Sequence, residues 1–83
     1  MTSKAKIDWF MVISQINRVG ISNADLAELI KVPRPTLVGW KMGAEPRFSD
    51  GEELLRYWEL ITGFNRCQIP HVSVADWWAY HSC

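Results

Sequence analysis

Apolar positions in the first half of the chain recur at helical spacing. Between Ile7 and Arg18 they fall at Ile7, Phe10, Met11, Ile13 and Ile16, close to the alternation of three and four that lines one face of a helix, and Gly20 follows as a stop. This segment is expected to be the first helix. Ser22-Asn23-Ala24-Asp25 has the form of a capping box, a hydroxyl and a carboxylate three residues apart that satisfy backbone donors at a helix start, and predicts a second, short helix through Ile30. Pro33 and Pro35 fit only before a helix or within its first turn, where the missing N–H is not needed. A third helix is therefore placed from Arg34 to Met42, ended by Gly43. Ser49 and Glu52 repeat the capping-box spacing and predict a fourth helix to Thr62, closed by Gly63, that buries Leu54, Leu55, Trp58 and Ile61.

After Gly63 the pattern changes. Cys67 to Ser73, which contains Ile69-Pro70, reads as extended chain, and Val74 to Tyr80 has room for one or two helical turns. With no internal repeat and 83 residues, the chain supports one core. The expected fold class is all-α: a compact bundle of four to five helices over residues 1–66, followed by an aromatic-rich tail over 67–83. A hydrophobic content of 48% with five tryptophans argues for a packed globule, because each buried aromatic removes a large apolar area from water. Trp40 and Trp58 sit at inward helical spacings and are assigned to the core. Leu26, Ala27, Ile30, Val32, Leu37 and Trp40 are spaced to face the first helix, and Ala27 is small enough to permit a close crossing.

Charge refines the picture. The formal net charge is zero, yet from Met1 to Phe48 seven Lys and Arg stand against four Asp and Glu, and from Ser49 to Cys83 two stand against five. A +3 part is thus cancelled by a −3 part, and such a polarised molecule can still present one basic face. No apolar run approaches the ~20 residues of a membrane span, and Met1 to Lys6 leads into an amphipathic stretch rather than a signal-peptide core, so a cytoplasmic, non-membrane protein is expected. Cys67 and Cys83 form no closely spaced framework and are taken as reduced thiols. The chain has no Gly-rich phosphate loop and no nucleophile with a base near it in sequence. A non-enzymatic protein without cofactors is the expectation.

The order of the second and third helices carries the functional reading. Two short helices joined by Lys31-Val32-Pro33 and preceded by another helix match the geometry of a DNA-reading pair, in which the first crosses the groove and the second lies in it with its N-terminal residues at base edges. Ile21-Ser22-Asn23-Ala24-Asp25-Leu26-Ala27 through Val32, then Thr36-Leu37-Val38-Gly39-Trp40-Lys41-Met42-Gly43 and Pro46, resemble the Cro/C1-type (XRE-like) helix-turn-helix family over roughly Ile7 to Ile61. That resemblance implies a four- or five-helix DNA-binding domain, usually dimeric on its operator, with roles in phage, plasmid or bacterial gene control. It puts Arg34, Pro35, Thr36, Val38 and Gly39 on the base-reading face, and Asn23, Lys31, Lys41 and Arg47 at phosphate. Lys31 stands where the family commonly has a glycine. Arg34 suits guanine O6 and N7, and Pro35 or Val38 a thymine methyl. The expected function is sequence-specific duplex DNA binding by a small homodimeric transcriptional regulator acting as a repressor. The alternative keeps the fold and binds a host protein through the apolar Pro35, Val38 and Gly39 surface and the Trp-rich tail.

Two readings of the tail remain. Trp77, Trp78 and Tyr80 offer more aromatic surface than a short helix can hide on its own, and either lie in a two-fold interface, where the resemblance places the dimer contact, or fold back on their own core. Cys67, His71, His81 and Cys83 are of zinc-ligand type, but the last pair is only one residue apart, and no metal is assigned.

Overall fold

The computed structural model describes residues 5–73, with side chains for residues 6–72. Its elements are β1 (Ala5–Ile7), α1 (Trp9–Arg18), α2 (Asn23–Ile30), α3 (Arg34–Lys41), α4 (Phe48–Thr62), a 3-10 turn (Arg66–Gln68) and β2 (His71–Ser73). The molecule is mostly helical, consistent with the expected class, and adds a short two-stranded sheet that was not expected: β1 and β2 pair antiparallel, with Ala5 opposite Ser73, Lys6 opposite Val72 and Ile7 opposite His71.

That ladder explains where α1 begins. Ile7 belongs to β1 rather than to the helix. Asp8 is the hinge between them: its backbone N–H donates to the Pro70 carbonyl at 2.9 Å, while its carboxylate accepts the Met11 N–H at 3.1 Å as the α1 N-cap. Starting at Trp9 also shifts the buried face. Trp9, Val12, Ile13 and Ile16 are buried, whereas Phe10 and Met11 are half-buried.

In α2 the expected N-cap forms on the serine side, Ser22 Oγ accepting the Asp25 N–H at 3.1 Å. The other end has an uncommon feature. Lys31 takes the left-handed conformation, φ 60° and ψ 46°, the one positive-φ position among the described residues not occupied by glycine. There its N–H reaches the Glu28 carbonyl at 3.2 Å and the Val32 N–H reaches that of Ala27 at 3.0 Å, closing the helix. A side chain in this conformation costs about 1–2 kcal/mol, partly offset in any glycine variant by the greater freedom of the unfolded chain. Lys31→Gly should therefore stabilise the fold by about 0.5–1 kcal/mol and raise Tm by about 2–8 °C. A calorimetric Tm at or below that of the parent would show that the lysine side chain contributes more than its backbone costs.

The expected capping box at α4 is not formed. The helix starts at Phe48, with Arg47 in the N-cap position and no side-chain cap; the Gly51 N–H already donates to the Arg47 carbonyl at 2.8 Å, which puts Ser49 inside the first turn. Glu52 instead faces Arg66, 3.1 Å away. Buried Gly51 marks a close approach, since a Cβ there would lie 3.3 Å from Cη2 of Trp9. At the far end Gly63, φ 80°, closes the helix as expected.

The core is built by all four helices, α1 packing on α3 and α4, and α2 packing on α3 and α4. Leu26, Ala27, Ile30, Leu37 and Trp40 from α2 and α3, and Leu54, Leu55 and Trp58 from α4, are all buried, while Val32 and Ile61 pack at the margin. Trp58 is fully buried, its indole N–H donating to Gln15 Oε1 at 2.7 Å. Beyond α4 the connector is fastened rather than loose. Arg66 binds Glu52 and Glu59, and the hydrogen bonds it donates to Glu52 and then Glu59 hold its guanidinium above its ordinary pKa. Ile69 packs on the core, just after the 3-10 turn Arg66–Gln68.

Candidate functional site

Burial of Leu37 and Trp40, at 0% and 4% exposure, fixes which side of α3 faces out. At 100° per residue the positions opposite them are Pro35, Val38, Gly39 and Met42, with Arg34 on one flank and Thr36 on the other. Arg34, Pro35, Thr36, Val38 and Met42 are exposed and Gly39 is half-buried. Met42, at 73% exposure, extends the surface one turn beyond the residues expected from sequence. Its spacing of four from Val38 was the available signal.

The residues assigned to phosphate stand in unlike surroundings. Lys31 is exposed on the turn between α2 and α3, and Arg47 is exposed just before α4. Asn23 opens α2 half-buried, with its Oδ1 enclosed and without a hydrogen-bond partner. Lys41 is turned inward. Its ammonium donates to Asn17 Oδ1 at 3.3 Å and stands 5.4 Å from the centre of the Phe10 ring, and Asn17 Nδ2 donates to the Ile21 carbonyl at 2.8 Å. These contacts tie the end of α3 to α1 and to the loop before α2, so Lys41 braces the helix that carries the exposed strip. Nothing in the apolar pattern points to Asn17, because the contact joins polar groups 24 residues apart.

No family model, curated protein or solved structure matches this chain. What the surface can bind therefore follows from its own side chains. From Lys31 to Arg47 there are four Lys and Arg and one carboxylate, Glu45, and Glu45 is paired with Lys6 at 3.3 Å. The segment that carries α3 is thus net positive, in contrast to the acidic residues Asp50, Glu52, Glu53 and Glu59 of α4. Lys31 borders an open cleft of about 420 Å³ shared with Asp50, Glu53 and Tyr57, which marks where one sign of charge gives way to the other.

Trp77, Trp78 and Tyr80, expected at a dimer contact or folded back, lie outside the described residues, as do His81 and Cys83. Cys67 and His71 are both exposed, the His71 Nδ1–H donating to the Ile69 carbonyl at 2.8 Å. Among the described residues no three His, Cys, Asp or Glu side chains are grouped to hold a metal ion, and no helix is long and apolar enough to cross a membrane.

Proposed function

We propose that the protein is a small helix-turn-helix regulator that binds duplex DNA site-specifically, probing the major groove with α3 while α2 lies across the backbone, and represses transcription by occupying its site. One observation carries this reading: α3 follows α2 after three residues, is anchored from behind by Leu37 and Trp40, and presents the Arg34, Pro35, Thr36 and Val38 end to solvent. That is what a recognition helix requires, one face spent on the core and the N-terminal part of the other left for base edges. The positive balance between Lys31 and Arg47 supports it, since phosphate neutralisation supplies most of the sequence-independent affinity. Dimeric binding to two half-sites about one helical turn apart fits a single short reading helix per chain.

A second reading is favoured by one feature, the apolar centre of the exposed strip at Pro35, Val38 and Met42, which would also suit a protein partner. Selection from a randomised duplex pool at about 100 mM salt separates the two. Recovery of a two-fold symmetric motif, with affinity falling steeply as salt rises, is the expected result. Recovery of no motif would overturn the proposal in favour of a protein partner, whose apolar contact salt weakens little.

A further inference from the structure

The midline of the exposed face of α3 carries no group that hydrogen-bonds a base edge. Pro35, Val38 and Met42 are apolar and exposed, with Gly39 between them, and the polar side chains Arg34 and Thr36 stand to either side. Donors and acceptors on the floor of the major groove would meet nothing there and lose their water. One apolar group is offered on that floor, the 5-methyl of thymine.

The surrounding charge decides between a duplex and an apolar protein partner. Arg34 is exposed on the flank of the strip, Lys31 and Arg47 are exposed just before and after the segment that carries it, and the one carboxylate between residues 31 and 47 is already paired with Lys6. A duplex sets phosphates along both walls of the groove and methyl groups between them, so an apolar strip flanked by Arg34 on a segment of net positive charge is complementary to it. Gly39 adds to the fit. A Cβ at this position would meet only the Cβ of Ala44, at 4.0 Å, so packing does not require the glycine. Without a Cβ at this position the backbone of α3 can approach a base pair more closely.

Building on the DNA-binding reading above, we propose that α3 recognises thymine methyl groups through Pro35, Val38 and Met42, with Arg34 taking guanine at the edge of the same half-site. The operator is then a half-site rich in thymine rather than one read mainly by hydrogen bonds.

Deoxyuridine provides the test, because it removes the methyl and keeps every base-pairing and groove hydrogen-bonding group. The full chain is titrated with the duplex recovered from the pool and with copies in which single thymines are replaced by deoxyuridine. Affinity is expected to fall about fourfold for each methyl buried against the strip and to stay unchanged at thymines outside the half-sites. Val38→Ser and Met42→Gln, both at exposed positions, should retain the parent Tm and lose the thymine preference. A recovered motif indifferent to deoxyuridine would overturn the methyl readout and leave DNA binding standing. Failure to recover any motif would overturn the DNA reading itself, and the methyl readout with it.

Discussion

Trp58→Ala should remove a large part of the protein's stability at 25 °C, about 3–5 kcal/mol. Trp58 is fully buried, its indole N–H is bonded to Gln15, and its ring lies 5.6 Å from that of Phe64. Truncating a buried tryptophan costs about 3–5 kcal/mol through lost transfer energy and the cavity left behind. A single core of this size has a total stability of about 4–12 kcal/mol, and here the loss also strands the Gln15 carbonyl. Trp58→Phe separates the two contributions. It keeps most of the apolar contact and loses the hydrogen bond, for an expected cost of about 1–2 kcal/mol. Urea titration followed by helical circular dichroism is the appropriate readout, since four other tryptophans would confuse fluorescence. A cost below about 1 kcal/mol for the alanine variant would mean that α1 and α4 do not meet around this residue.

The second large effect is expected on α3. Leu37 is fully buried, and with Trp40 it holds an eight-residue helix that would not persist alone. Leu37→Ala should cost about 2–5 kcal/mol, whereas Val38→Ala, one position along on the exposed side, should stay within about 0.5 kcal/mol. Amide hydrogen exchange places the damage, because a loosened α3 loses protection before α1 and α4 do. Equal behaviour of the two variants would contradict the outward-facing assignment of Val38, and with it the surface on which the proposed function rests.

Much of the helical framework was legible because its boundaries are written in local chemistry. Ser22 caps the helix it precedes, the prolines at 33 and 35 admit only the start of α3, and Gly63 turns left-handed at the end of α4. The inward positions of α2, α3 and α4 followed from spacing alone. The parts that escaped depend on groups distant in sequence. Ile7 looked like the first turn of α1 until Val72 and its neighbours drew the preceding residues into a ladder. Ser49 and Glu52 had the form of a cap, but Glu52 is engaged by Arg66. The same holds for the site. Periodicity indicated the outward face of α3, whereas the inward turn of Lys41 required a partner, Asn17, that carries no periodic signature.

The pairing of Ala5 with Ser73 gives the described chain a mechanical character. β1 runs into the domain and β2 runs out of it, so Ala5 and Ser73 are opposite each other at the same end of the ladder. Tension applied along the chain at those two residues would part the strands one pair at a time, as an unzipping rather than a sliding load. The next backbone bond in line is the one from Asp8 to Pro70, and only after it yields does force reach the cap of α1. The core formed by the helices would thus lie behind a clasp that yields first, and because Ile7 and Ile69 pack against that core, its opening would uncover part of it.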